Sequence, residues 1–71
     1  MLTKRQLQVL AGVRDGHTAE SVAKGLGLSP ETVREHLKTA RRRLGASNAT
    51  HSVVTAIRLD LLPSHEKDDV V

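Results

Sequence analysis

Lys38, Arg41, Arg42 and Arg43 fall within six residues, and Arg34 stands one helical turn ahead of Lys38. Guanidinium and ammonium groups gathered this way can neutralise a polyanion, or they can form nothing more than a solvated helix face. Other chemistry-bearing side chains are sparser. Ser29 has no base placed to activate it as a nucleophile, and Pro30 directly after it marks it instead as the capping hydroxyl of a helix start. His17, His51 and His65 are scattered, without H-x-x-x-H spacing or an acidic partner at ligand distance in sequence. Gly25 and Gly27 lack the G-x-G-x-x-G spacing, and no strand precedes them, so they do not cradle phosphate. No Ser-His-Asp set and no paired carboxylates occur. The chain therefore reads as a non-enzyme with no cofactor and no metal.

The elements that must position the basic residues are few, because 71 residues make one small domain. Without Cys, Phe, Tyr or Trp, the core has to come from Leu, Val, Ile and Ala. That leaves little room beside the core for a substrate pocket of about 300 Å³ or more. Stacking on single-stranded RNA is disfavoured for want of an aromatic ring. Apolar runs fall well short of the roughly 20 residues that span a bilayer, and the N-terminus lacks a signal-peptide layout, so no membrane partner is expected. Net charge is +3 but unevenly spread. Residues 1–59 carry ten basic and four acidic groups, whereas 60–71 carry one basic and four acidic. The division predicts a basic domain over residues 1–62 and an acidic, flexible tail over 63–71.

Strand signals are missing and helix signals are dense, which predicts an all-α fold of four helices. Thr3 caps a helix from about Lys4 to Arg14, with Leu2 and Leu7 at staple spacing and Leu7, Leu10 and Val13–Arg14 as its inward stripe. Thr18 starts a short second helix whose narrow apolar face is Val22, Ala23 and Leu26, and Gly27 turns the chain. Ser29-Pro30 opens a third helix to about Arg43, with Val33, Leu37, Ala40 and Leu44 inward. Asn48 caps a fourth, from Ala49 to about Leu62, stopped by Pro63. Val54, Leu59 and Leu62 fall partly off its buried face; they are either singly exposed or a seam for self-association, and a helix apolar on two sides favours the seam.

A short helix, a glycine turn and a longer capped helix with a basic outer face make a helix-turn-helix, and one α-helix fits the major groove of DNA. The residues Leu2-Thr3-Lys4-Arg5-Gln6, Val9-Leu10, Gly16, Val22-Ala23, Leu26-Gly27-Leu28-Ser29, Thr32-Val33-Arg34, His36 and Leu44-Gly45 resemble the LuxR/GerE-type DNA-binding domain of bacterial transcription regulators. The resemblance covers about residues 2 to 62. It implies a four-helix helix-turn-helix domain with a dimerising C-terminal helix, reading inverted-repeat promoter DNA through helix three as a homodimer. Double-stranded DNA would be its partner, in the cytoplasm at the bacterial nucleoid, with RNA polymerase as a further contact.

Carried over position by position, the resemblance makes Arg34, Glu35 and Lys38 the base readers. It makes Thr18, Ser29, Thr32, His36, Thr39, Arg41 and Arg42 the phosphate contacts, and Val54, Arg58, Leu59 and Leu62 the dimer interface. Arg34 stands where lysine is usual and adds bidentate geometry toward guanine. Glu35 can accept from a cytosine amine or repel phosphate, and His36 has a partly buried spacer as its rival reading. Gln6, Glu20, Thr39 and Ala49 depart from the usual glutamate, lysine, asparagine and arginine. The losses at Gln6, Glu20 and Ala49 predict fewer backbone contacts than a typical member makes. Two other readings stay open. The scaffold could serve as a protein-interaction adaptor that docks on another regulator or on RNA polymerase, or as a sigma-factor-like promoter reader. The chain reads either as a free-standing regulator or as the output end of a longer protein.

Overall fold

The computed structural model describes residues 1–64, and there the chain forms α1 (Lys4–Arg14), α2 (Ala19–Leu26), α3 (Pro30–Leu44) and α4 (Ala49–Arg58). No strand occurs among the described residues. Of the acidic tail expected over 63–71, residues 65–71 lie outside them, as does His65.

Every helix starts where a side chain can accept an otherwise orphaned backbone N–H. The caps are Thr3, Thr18, Ser29 and Asn48, all in extended backbone. They accept from the N–H of Gln6 (3.1 Å), Ser21 (3.1 Å), Thr32 (3.2 Å) and His51 (2.8 Å). At Thr3 the cap is reciprocal, because the Thr3 N–H donates to Gln6 Oε1 at 2.9 Å. Thr3-x-x-Gln6 is thus a capping box. Gln6, which in sequence looks like the loss of an acid, closes that box and is buried.

The four helices also end alike. A left-handed residue follows the last turn, and the next N–H bonds back across five residues. His17 donates to the Gly12 carbonyl (3.0 Å), Leu28 to Ala23 (2.8 Å), Ala46 to Arg41 (3.0 Å) and Leu61 to Ala56 (2.9 Å). Glycine supplies the left-handed residue after the first three helices, and Asp60, at φ 62°, after the fourth.

That last closure corrects the expected extent of α4. The helix stops at Arg58, short of Leu62, and the turn at Asp60 rather than Pro63 reverses the chain. Leu62 returns to the core, only 5% exposed, in a cluster with Leu10, Ala40, Val53 and Ala56. Leu62 is therefore not part of a self-association seam; its apolar surface is consumed within its own chain.

A second cluster joins Val9, Val22, Ala23 and Val33, and Leu37 packs against both. The α3 stripe of Val33, Leu37, Ala40 and Leu44 is buried or half-buried as its spacing predicts. The α1 stripe is shifted. Its buried residues are Gln6, Val9 and Leu10, because α1 packs against α2, α3 and α4 together and needs a wider inward face than one row. Where α1 crosses α2, the Gly12 backbone lies so near Val22 that a Cβ there would overlap Val22 Cγ2. Arg14 is half-buried, its side chain only 6% exposed, but not as part of an apolar row. Its Nε and Nη2 donate to the Asp15 carboxylate (2.8 and 3.1 Å), and Nη1 donates to the Pro63 carbonyl (2.8 Å), tying the chain beyond α4 to the end of α1.

Candidate nucleic-acid interface

The turn Gly27-Leu28-Ser29 sets α3 against α2, and Val22, Ala23 and Val33 lock the two together. With its inward stripe anchored in both clusters, α3 presents Arg34, Glu35 and Lys38 to solvent. Arg34, Lys38 and Arg41 recur at intervals of four and three, so they share one face. Together with Leu37 and with Ala49, the first residue of α4, they line a shallow groove. An exposed basic face beside a helix N-terminus is suited to a phosphate-lined surface.

The residues expected at phosphate fall into three states. Thr18, Ser29, Thr32 and Arg42 are exposed. Thr18 and Ser29 are also helix caps, and the hydroxyls of Ser29 and Thr32 are paired at 2.9 Å. His36 and Thr39 are half-buried at the flank of α3, a placement compatible with either reading of His36. Arg41 is half-buried and donates through Nη1 to the Ala46 carbonyl at 3.0 Å, so part of its guanidinium serves the end of its own helix. Arg43 likewise donates to the Met1 carbonyl at 2.7 Å, across the sequence.

One contact at this face has no signal in the sequence. Arg34 Nη2 donates to Glu20 Oε2 at 2.6 Å, bridging α3 to the first turn of α2. Fourteen residues separate the partners, beyond the reach of any within-helix spacing rule.

A family model described as "Bacterial regulatory proteins, luxR family" matches residues 1–56. The chain belongs to the luxR family. Among curated luxR-type relatives, the transcriptional activator protein BjaR1 of Bradyrhizobium diazoefficiens is 42% identical over 57 residues, 80% of this chain and 24% of that protein. The HTH-type transcriptional activator RamA of Corynebacterium glutamicum is 40% identical over 62 residues, 87% of this chain and 22% of that one. The chain thus spans about a quarter of the length of these two relatives. The spore germination protein GerE of Bacillus subtilis is closer in size: 32% identity over 59 residues covers 83% of this chain and 80% of GerE. A solved structure of transcription factor GerE superimposes with a TM-score of 0.85 at 24% identity, covering 89% of this chain and 94% of that one, and so shares the fold. The chain is thus a luxR-family helix-turn-helix domain.

Within this luxR-family fold, the residues expected at a dimer interface separate. Val54 (43% exposed) and Arg58 lie one turn apart on the outer side of α4, and Leu59 follows at 57% exposed. Leu62 is in the core, as described. Among the described residues, no three His, Asp or Glu side chains are grouped closely enough to hold a metal ion, and no helix is long and apolar enough to cross a membrane.

Proposed function

We propose that residues 1–62 read double-stranded DNA, with α3 in the major groove and two copies on an inverted repeat. The observation that carries this reading is the basic face of α3 formed by exposed Arg34 and Lys38 and half-buried Arg41, which flanks the inward stripe of fully buried Val33 and Ala40. Arg34 and Lys38 are the base readers, with Glu35 beside them. Thr18, Ser29, Thr32, His36, Thr39, Arg41 and Arg42 meet phosphate. Val54, Arg58 and Leu59 pair the two copies, whose half-sites then lie about 10 base pairs apart. Function at promoters implies the cytoplasm, at the nucleoid, and proximity to RNA polymerase. Replacing Arg34 and Lys38 with alanine is expected to cost about 1–3 kcal/mol per base contact and to erase sequence preference, read by fluorescence anisotropy on a site selected from random duplexes. Unchanged preference in the double variant refutes the reading.

The adaptor alternative is favoured by a separate feature, a mostly apolar groove lined by Met1, Leu2, Arg43, Leu44, Leu59 and Leu61 at the opposite end of α3 from its cap. Leu59 decides between the two. A charge placed there, Leu59→Asp, should weaken self-association and cooperative binding to paired half-sites while a single half-site is still recognised. If it leaves DNA binding and self-association untouched but abolishes capture of RNA polymerase or a partner regulator, the adaptor reading holds.

A further inference from the structure

We infer that Glu20 is a positioning residue for Arg34, holding its guanidinium for base reading and away from phosphate. The inference rests on the DNA-reading role proposed for α3. In sequence, Glu20 looks like a liability, an acid where the family commonly has lysine. In three dimensions its carboxylate meets Arg34 Nη2 at 2.6 Å. Glu20 sits on α2, whose Val22 and Ala23 are anchored in the core, so the carboxylate projects from a rigid support.

A guanidinium has five N–H donors, and a carboxylate at Nη2 leaves other donors for a base edge. An untethered arginine beside DNA has many phosphate oxygens to choose from and few base edges. Pairing with Glu20 disfavours the phosphate-bound rotamers, since reaching them breaks a charge-assisted bond, and it removes in advance part of the side chain's rotational freedom. Magnitude excludes the opposite role, a lock that blocks DNA. Both side chains are more than half exposed, at 53% and 64%. Such a pair is worth at most about fivefold in population, whereas a bidentate arginine–guanine contact discriminates by about fivefold to 150-fold. The pair biases Arg34 without overruling the base.

The test uses the full chain. A duplex is selected from a randomised library with the wild-type protein. Affinities are then measured for that duplex, for single-base variants at each position and for an unrelated duplex, over a series of salt concentrations. Arg34→Ala identifies the base pair that Arg34 reads. Glu20→Ala is expected to lower the preference at that same pair by about three- to fivefold. It should also raise affinity for the unrelated duplex, with a salt slope steeper by up to about 0.9 as Arg34 moves to a phosphate. Glu20→Gln removes the charge but keeps an oxygen acceptor, so preference should stay within about twofold of wild type. If Glu20 only repels DNA, both variants raise affinity for every duplex by one factor and leave the preference intact, and the inference is overturned. A wild-type chain that enriches no sequence, or an Arg34→Ala variant that changes no position, overturns the base-reading role itself. Urea midpoints of the variants verify that each is folded.

Discussion

Gly12 shows how much a single missing methyl group can decide. The helix axes of α1 and α2 approach closely only because residue 12 carries no Cβ to strike Val22 Cγ2. Alanine is the better helix former by about 1 kcal/mol, yet forcing a methyl group into a filled contact costs about 1–3 kcal/mol. The second term outweighs the first, because Val22 is buried in one cluster with Val9 and Val33 and its β-branched side chain has one strongly preferred rotamer in a helix. Gly12→Ala should therefore lower stability by up to about 2 kcal/mol, seen as a lower urea midpoint with an unchanged slope. A midpoint at or above wild type contradicts the close approach. Because α2 sets the attitude of α3, the same variant should weaken DNA binding by more than the loss of folded protein explains.

At the level of helices, legibility in the sequence followed the range of the interactions. All four starts were readable, because Thr3, Thr18, Ser29 and Asn48 act on N–H groups three residues away. The inward row of α3 was readable for the same reason, since its period belongs to one helix. The end of α4 was not. Leu61 and Leu62 continue an apolar pattern that looks helical, and only the core waiting at Leu10 and Ala40 explains why the chain turns at Asp60 instead. The Gly12–Val22 approach and the Glu20–Arg34 pair were invisible too, as both join different helices. Asp60 also offers a test of this element. It holds a left-handed conformation that costs an L-residue about 1–2 kcal/mol and glycine almost nothing. Aspartate tolerates that region better than most residues, so Asp60→Gly should raise stability by up to about 1 kcal/mol, measured by thermal unfolding. A clear loss would mean that the Asp60 side chain makes a contact the turn depends on.

For the whole molecule, the formal charge overstates the grip on DNA. Of the five basic residues on α3, Arg34 is engaged by Glu20, Arg41 by the Ala46 carbonyl and Arg43 by the Met1 carbonyl. Phosphate contacts should accordingly be fewer than the basic run suggests. Each neutralised phosphate adds about 0.9 to the slope of log affinity against log salt, so the slope per monomer should be shallower than about 7. A steeper value, equivalent to about eight or more phosphates, contradicts this internal engagement. The structural load falls elsewhere. Val33, Leu37 and Ala40 bind α3 into both clusters, while Arg34, Glu35 and Lys38 lie on its exposed side and contribute to neither. Under the DNA-reading role proposed for α3, codons 34, 35 and 38 can thus be randomised to seek new operators without eroding the scaffold. Arg34 alone brings a companion on another helix, so a library that leaves codon 20 unvaried would keep a solvated carboxylate beside position 34 and bias the search toward cationic solutions.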